Sequence, residues 1–316
     1  MKLQELIDQY IRYRRSLGEK FKTNETYLKA FCRMMGGNIE PSGISEEMIN
    51  KFLYAGMPVT SGWFVKHTAL KGFYNYAVSR GYIEKSVISQ ITPKRPPPFV
   101  PYIYSRHELK ILFQGALSYQ KNQSHVHPYM IRIILILIYA TGLRLHEALS
   151  LKLSDVDLKE SVITVEQSKF YKSRLVPFNQ EILNIINEYL CWRKSHAYSE
   201  KLNVTLFVCK YDQALNGSTV EQVFLKIRKN TGIKRMDKAN YQPRIHDLRH
   251  TFAVHRLTSW YVEKKDVQQL LPILSTYLGH QHLVHTSVYL TMTNDLLQEA
   301  SVRFEQYATG ENHEKR

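Results

Sequence analysis

The stretch LGHQHLVHTSVYLTMT, residues 278–293, places a tyrosine nine residues after a histidine that follows a glycine. These residues are His280 and Tyr289, and a tyrosine oxygen is one of the nucleophiles used in covalent catalysis. Its reference pKa of about 10 makes it a poor nucleophile near neutral pH unless neighbouring groups help it to ionise. Because the chain contains 21 tyrosines, Tyr289 taken alone is more simply explained as a packing residue. A chemical role requires partners elsewhere in the sequence.

Three further segments supply partners of suitable chemical types. ATGLRLHEALSL presents Arg144 with Glu147 one turn later, and RIHDLRHTFAVH places His246 and Arg249 three residues apart on one helix face. The segment EQSKFYKS offers Lys169. Each residue has an ordinary structural explanation, such as a helix-end ion pair, a cap, a core histidine or a solvated turn lysine. Their joint occurrence is what indicates a site.

Together these residue types suit metal-free chemistry on a phosphodiester. Arginine stays charged and binds phosphate through a planar fork, so two arginines can hold both non-bridging oxygens. They also stabilise the additional charge of a pentacovalent transition state. A nearby base and cationic neighbours help the tyrosine to ionise, and a lysine can protonate the departing oxygen. The product is a covalent phosphotyrosine, which conserves the energy of the broken bond for later rejoining.

The charge of the chain indicates a polyanionic partner. Its 43 Lys and Arg residues outnumber 28 Asp and Glu residues, which gives a formal net charge of +15. Residues 1–95 hold 15 basic and 8 acidic residues, and the remainder holds 28 and 20. Each lysine or arginine on a phosphate releases a condensed counterion. Two separately positive halves favour a clamp around one DNA duplex, whereas a generally basic surface is the alternative.

Cysteine content and hydropathy favour the cytoplasm. Cys32, Cys191 and Cys209 are widely separated, which indicates a reducing compartment rather than a disulfide framework or a zinc cluster. The N-terminus has no apolar signal core. The longest apolar run, IILILIYA at residues 133–140, is too short to span a bilayer and predicts a buried core helix. We expect no membrane association.

Residues 1–90 carry the hydrophobic periodicity of helices. In LQELIDQYIRYRRSL the apolar residues define one face: Leu3, Leu6, Ile7, Tyr10 and Ile11. Thr23 or Asn24 is expected to cap a second helix that stops at Gly36. SEEMINKFLYAG and TSGWFVKHTALKGFYNYAVSRGYI supply two more helices. The pattern predicts a compact domain of four or five helices.

A proline-rich segment follows this domain. ITPKRPPPFVPYIYS contains five prolines from Pro93 to Pro101, and proline cannot continue a helix. Lys94 and Arg95 make the segment basic. We therefore predict a stiff linker at residues 91–104, which separates the first domain, 1–90, from a second domain at 105–316.

Helices dominate the second domain, which begins with a capping-type start in SRHELKILFQGA. The exception is VITVEQSKFYKSRLVPF, residues 162–178, in which two strand-forming stretches flank a polar segment. This pattern predicts a β-hairpin with Lys169 at its tip. LFV at 206–208 is expected to form another short strand, and NDLLQEASVRFEQYA an amphipathic C-terminal helix. The expected fold class is mainly α with a small β-sheet.

The boxes TGLRLHEAL, HDLRHTFA, YLGH and TSVYL, in this order, resemble the signature of the tyrosine recombinase (phage integrase) family, which includes the Xer and Cre recombinases. The resemblance covers nearly the whole chain. It implies an N-terminal helical, SAM-like core-binding domain that binds DNA, and a mixed α+β catalytic domain. The proline linker, the LPILSTYLGH segment and the C-terminal tail are most similar to integrases carried by bacterial transposons.

The resemblance implies a site-specific recombinase that cuts and rejoins DNA through a 3′-phosphotyrosine, with no metal or cofactor. Tyr289 would be the nucleophile, and Lys169 the general acid delivered by the hairpin to the leaving oxygen. Arg144 and Arg249 would bind the scissile phosphate, and His280 would donate a hydrogen bond to it. His246 would assist as an acid or base, and the Glu147 carboxylate would support the site. Lys172 is the alternative general acid. His146 stands where the family commonly has a small residue such as serine.

The implied partner is double-stranded DNA, bound by a homotetramer in a synaptic complex or together with related recombinases. The C-terminal helix is expected to dock on a neighbouring subunit, or to pack on its own subunit. The implied location is the bacterial cytoplasm, in association with the nucleoid.

Three other functions are left open by the sequence. A type IB topoisomerase would use the same chemistry to relax DNA, and a catalytically silent protein could bind DNA on the same fold. A metallohydrolase would use the histidines at 246, 250, 280, 282 and 285, although the chain has no HExxH motif and no cysteine pair.

Overall fold

The computed structural model describes residues 1–56, 58–97, 99–120, 126–166, 173–237, 239 and 241–291, with positions 297, 298, 300, 301 and 304 of the C-terminal segment. Lys169, Lys172 and most of the predicted C-terminal amphipathic helix lie outside these residues. The chain divides into two compact units, Met1–Phe99 and Val100–Arg316, and the division falls within the segment predicted as a linker. None of the described helices is long and apolar enough to cross a membrane.

The first unit is helical because its apolar residues repeat at helical spacing and meet in one core. Its α-helices are α1 (Leu3–Ser16), α2 (Lys22–Met35), α3 (Glu46–Tyr54) and α4 (Ser61–Ser79). All five residues predicted to form the inner face of α1 are buried, which confirms that prediction. Ser45 caps α3 by accepting a hydrogen bond from the Met48 N–H.

The start of α2 differs from the expected one. Its N-cap is Phe21, which has left-handed backbone (φ 46°) and makes no side-chain cap hydrogen bond. The Phe21 ring is buried against Tyr10, with ring centroids 5.5 Å apart. Tertiary packing, and not a polar cap at Thr23 or Asn24, therefore fixes the beginning of this helix. Its predicted end at Gly36 is confirmed.

The second unit combines helices with one small sheet. Its helices are α5 (Arg106–Gly115), α6 (Pro128–Thr141), α7 (Leu145–Ser150), α8 (Gln180–Ser195), α9 (Gly217–Asn230), α10 (Asp247–Val262), α11 (Val267–Leu278) and α12 (Val284–Ser287). A 3₁₀ segment, Val288–Thr291, follows α12. Ser105 and Glu108 form the expected capping box at the start of α5.

The sheet contains the predicted hairpin and one further strand. β1 (Val156–Asp157), β2 (Val162–Val165) and β3 (Arg174–Pro177) are antiparallel in the order β1-β2-β3, with Ile163 opposite Val176. β1 was not predicted, because two residues are too few to show strand alternation. The strand expected at residues 206–208 is wrong: Val208 forms only an isolated bridge to Ala214.

α6 is the central helix of the second unit. Nearly all of its residues from Met130 to Ile138 are buried, which confirms the core helix predicted from the apolar run. α10 packs against α6 and brings its first turn to the end of that helix. This packing places the two arginine-bearing segments in one region.

Candidate active site

Two helices end at glycines with left-handed backbone, and their terminal carbonyl groups bind arginines. α6 ends at Gly142 (φ 63°) and α11 ends at Gly279 (φ 67°). Other residues are strained at such angles, and a Cβ at Gly142 would lie 2.7 Å from Phe252 Cδ1. The last carbonyls of a helix lack intrahelical partners and carry the negative end of the helix dipole. Arg144 and Arg249 both bind carbonyl groups at these helix ends.

Arg249, in the first turn of α10, donates to both helix ends. Its Nη1 donates to Gly142 O at 2.5 Å, and its Nη2 donates to Leu278 O at 2.6 Å. A guanidinium has five N–H donors, so three remain for a ligand. The side chain is 1% exposed and forms no ion pair with a carboxylate of the described residues. Burial, with repulsion from Arg144, lowers its pKa to about 9, so the buried group still carries its charge at neutral pH.

Arg144 is the N-cap residue of α7 and is more accessible, with 28% of its side chain exposed. Its Nη2 donates to Gly279 O at 3.1 Å, and its Nη1 donates to Glu147 Oε1 at 2.7 Å. The backbone N–H of Arg144 donates to Glu147 Oε2 at 2.9 Å. These contacts fix the guanidinium in one orientation and leave part of it open to a ligand.

Glu147 also binds a second arginine, Arg174 of β3. The two Nη atoms of Arg174 donate to the two carboxylate oxygens at 3.1 and 2.8 Å, and its Nε donates to Tyr277 O at 2.8 Å. Burial alone would raise the pKa of Glu147, but hydrogen bonds and charge from Arg174 and Arg144 lower it to about 2. The carboxylate therefore connects β3 to α7 and orients Arg144.

Glu147→Gln is expected to destabilise the protein in a pH-dependent way. A carboxylate whose folded-state pKa is about 2, against an ordinary value of 4.5, contributes about 3 kcal/mol above its unfolded-state pKa. That contribution is lost as the pH falls through the window between these two values. Urea unfolding at pH 7 should show the full difference between the two proteins, and unfolding at pH 3 a smaller one. Glu181→Gln, at an exposed position of α8, should change stability by no more than about 0.5 kcal/mol at either pH. If the free energy of unfolding of Glu147→Gln differed from that of the unsubstituted protein by the same amount at both pH values, the assigned role of the Glu147 charge would be contradicted.

Two of the predicted histidines lie beside these arginines and are neutral. Burial, with Arg249 and Arg244 nearby, lowers the pKa of His246 to about 4. Burial and Arg249 lower that of His280 to about 3. His280 Nδ1 lies 2.7 Å from Thr286 Oγ1, which orients its ring. Neutral imidazoles each carry one N–H, which can hydrogen-bond a phosphate oxygen.

Tyr289 lies in the 3₁₀ segment after α12 and is 3% exposed. Its hydroxyl oxygen lies 2.9 Å from His250 Nδ1, and its ring centroid lies 6.2 Å from that of His280. Burial raises the pKa of Tyr289, whereas the charges of Arg249 and Arg144 lower it. The two guanidinium groups thus act electrostatically on the phenol that the spacing singled out.

Six of the seven predicted site residues therefore lie in one region, at the ends of α6 and α11, the starts of α7 and α10, and the 3₁₀ segment. The seventh, Lys169, lies outside the described residues. Two residues of this region were not predicted as part of a phosphodiester site, although the metallohydrolase alternative included His250. Arg174 could have been suspected as a charged residue in the strand-forming stretch SRLVPF, and His250 as the residue four positions after His246.

The metallohydrolase alternative requires a cluster of ligands. Within the part of the chain that the structure describes, no group of three or more His, Cys, Asp or Glu side chains is arranged to hold a metal ion. His246 and His250 instead contact each other edge to face, with ring centroids 4.9 Å apart.

Comparisons with known sequences agree with the motif boxes. Residues 113–295 match the phage integrase family. A protein named as an integrase/recombinase, y4rB of Sinorhizobium fredii, is 31% identical over 301 residues, which cover 95% of this chain and 96% of that protein. Tyrosine recombinase XerC of Lactobacillus delbrueckii subsp. bulgaricus is 27% identical over 314 residues, 97% of this chain and 99% of that protein.

Solved structures share the fold. A lambda integrase dimer bound to a COC′ core site has a TM-score of 0.68 at 20% identity and covers 92% of this chain and 78% of that one. The Tn1549 transposon integrase in complex with transposon right end DNA has a TM-score of 0.66 at 14% identity. The match covers 98% of this chain and 100% of that one. The resemblance and the fold class inferred from the sequence are thus confirmed. The chain belongs to the phage integrase family of tyrosine recombinases.

Proposed function

We propose that this chain cuts and rejoins DNA at specific sites through a 3′-phosphotyrosine formed by Tyr289, without a metal ion. The observation that carries the proposal is the buried guanidinium of Arg249, which two helix ends hold beside the phenol and which forms no ion pair with a described carboxylate. A buried cation that keeps donors available and forms no ion pair within the described part of the chain is suited to an anion that is absent until substrate binds. The family match and the Xer relatives support a DNA phosphodiester as this anion.

In the proposed reaction, the Tyr289 oxygen forms a bond to the scissile phosphorus while the bond to the 5′-oxygen breaks. Arg144 and Arg249 bind the non-bridging oxygens and stabilise the charge that develops on them. His246 assists proton transfer, and His280 donates its ring N–H to the phosphate. Lys169 protonates the departing oxygen, with Lys172 as the alternative. The reverse sequence rejoins the strand.

Double-stranded DNA and further copies of the chain are the proposed partners. Net charges of +7 over residues 1–95 and +8 over the remainder support contact with a duplex along both parts of the chain. A solved relative by fold, the lambda integrase, forms a tetramer bound to a Holliday junction, which supports a homotetramer or an assembly with related recombinases. The two parts are proposed as a core-binding domain at 1–90 and a catalytic domain at 105–316.

A nicked duplex tests this function directly. When the strand end released by cleavage diffuses away, religation is blocked and the phosphotyrosine accumulates. We expect a covalent adduct on a nicked duplex that carries the binding site of this protein, detected by denaturing gel. The adduct yield should be unchanged in excess EDTA, because the arginines supply the charge that a metal would provide. An adduct lost in EDTA and restored by a divalent cation would contradict the metal-free assignment.

The two other DNA-binding functions predict different products. A catalytically silent protein retards the duplex but traps no adduct. A topoisomerase relaxes supercoiled plasmid that lacks any recombination site, as a monomer. We expect an adduct, and relaxation only of plasmid that carries the site.

A further inference from the structure

His250 contacts the proposed nucleophile although the family motifs did not single it out. It follows Arg249 in α10, and its Nδ1 lies 2.9 Å from the Tyr289 hydroxyl oxygen. The two ring centroids are 5.6 Å apart. An unprotonated Nδ1 accepts a hydrogen bond from the phenol along this line. The distance is within the range required for proton transfer between a base and its donor.

We propose that His250 Nδ1 accepts the phenol proton of Tyr289 as the tyrosine oxygen bonds to phosphorus. This inference rests on the proposed function, because it takes Tyr289 as the nucleophile. The O–H bond of Tyr289 breaks, the new O–P bond forms and the bond from phosphorus to the 5′-oxygen breaks. The proton resides on His250 as imidazolium, while the 5′-oxygen takes a separate proton from the general acid. On rejoining, His250 returns its proton to the departing tyrosine oxygen, so the cycle balances.

The other nearby histidines are less well placed for this step. His280 Nδ1 is bound to the Thr286 hydroxyl at 2.7 Å, and its ring centroid is 6.2 Å from that of Tyr289. His246 contacts the edge of the His250 ring, at 4.9 Å between centroids, and the described hydrogen bonds include none from His246 to Tyr289. His250 therefore contacts both the ring of His246 and the ring of Tyr289, and among the described hydrogen bonds it is the imidazole bonded to the phenol oxygen.

The surroundings of His250 keep its acceptor nitrogen free in the absence of DNA. Burial, together with repulsion from the charges of Arg249 and Arg244, lowers its pKa to about 3. A bound phosphodiester brings negative charge next to the same arginines. Opposite charge raises the pKa of an imidazole, so substrate makes His250 a stronger base where it is needed.

A second role must be distinguished from proton transfer, because the same contact could merely hold the phenol in place. Asparagine separates the two roles, since its amide oxygen accepts a hydrogen bond close to the Nδ1 position but takes up no proton. We expect His250→Asn to reduce single-turnover cleavage of the nicked duplex by about 10²–10⁴-fold, the range of general acid–base catalysis. His255→Asn is the matched control, because His255 Nδ1 makes the same contact to a tyrosine hydroxyl, that of Tyr139 at 3.0 Å, on the same helix. That control should cleave at the unsubstituted rate.

Two rescue experiments assign the proton to Tyr289. A trifluorinated tyrosine at position 289, whose phenol is far more acidic, should restore most of the rate lost in His250→Asn, because it ionises without a base. A substrate with sulfur in place of the bridging 5′-oxygen should not restore the cleavage rate. A thiolate leaves without being protonated, so the sulfur substrate compensates only for a missing general acid. Rescue by sulfur alone would overturn the proposal and place His250 on the leaving-group side. Cleavage by His250→Asn at the unsubstituted rate would overturn it in favour of a holding role.

These outcomes are separable from failure of the proposed function. If Tyr289 is not the nucleophile, adducts persist in Tyr289→Phe whatever residue is at 250. If only the proton acceptor is misassigned, adducts require Tyr289 but form at full rate in His250→Asn. Thermal unfolding and DNA retardation check that the variant is folded. Should His250→Asn be unfolded, His250→Gln takes its place, and rescue of its cleavage by the trifluorinated tyrosine then separates proton transfer from a holding role.

Discussion

Tyr289→Phe is expected to abolish covalent protein–DNA adducts while DNA binding stays intact. The substitution removes one oxygen and keeps the ring, which packs with the apolar residues of α10 and α11. The lost hydrogen bond to His250 costs about 1 kcal/mol, too little to unfold a domain of this size. Without the oxygen no bond to phosphorus can form. The measurement is a denaturing gel of labelled nicked duplex, paired with native gel retardation of the same samples.

Tyr277→Phe is the matched control for this experiment. Tyr277 lies on α11, is half-buried and donates its hydroxyl proton to Pro177 O at 3.2 Å, and burial raises its pKa to about 12. Its hydroxyl faces the sheet, so adduct formation should survive its removal. Adducts that persist in Tyr289→Phe and disappear in Tyr277→Phe would assign the nucleophile to α11. Peptide mapping of the adduct from the unsubstituted protein should recover the segment that contains residue 289.

Local sequence patterns were sufficient for most of the fold. The inner face of α1 follows from its periodicity, the buried α6 from its apolar run, and β2 and β3 from strand-forming residues on both sides of a polar segment, and the structure confirms each. The N-cap at Phe21 could not be predicted, because it depends on packing against a tyrosine of another helix. The two-residue β1 exists only through its pairing with β2. Patterns within an element are visible in the sequence, whereas contacts between elements are not.

The same distinction explains what the sequence could say about the site. Residue types and order identified the arginines, histidines and tyrosine that the structure brings to one region. Arg174 was missed because its partner Glu147 is 27 residues away, and His250 because Tyr289 is 39 residues away. The sequence also showed Gly142 and Gly279, but not that their left-handed conformations present carbonyl groups to the two arginines. The charge and geometry of the site therefore depend on contacts between distant segments and on the backbone conformation at the helix ends, which only the folded structure shows.

Arg249→Lys is expected to reduce the rate of cleavage by at least about 10²-fold, the effect of removing one donor from a charge-stabilising site. The positive charge is kept, so the loss isolates the geometry of the guanidinium. An ammonium group is a point charge on a flexible chain and cannot donate to Gly142 O, to Leu278 O and to a phosphate in a fixed plane. The readout is single-turnover adduct formation at saturating protein, which excludes an effect on DNA affinity.

Stability must be followed in the same variant, because both helix-end carbonyls are buried. Each carbonyl that loses its donor costs about 1–3 kcal/mol, so a lower unfolding temperature is expected alongside the lower rate. Arg256→Lys controls for the substitution itself, since Arg256 lies on the same helix but is exposed to solvent. It should change neither the rate nor the unfolding temperature.

If Arg249→Lys cleaves at the unsubstituted rate, then the guanidinium of Arg249 does not bind the phosphate in the transition state. The charge of Arg144, which pairs with Glu147, would then have to suffice. Because Arg144 pairs directly with Glu147 and Arg249 forms no ion pair with a described carboxylate, we expect Arg249 to be the arginine that the reaction cannot lose.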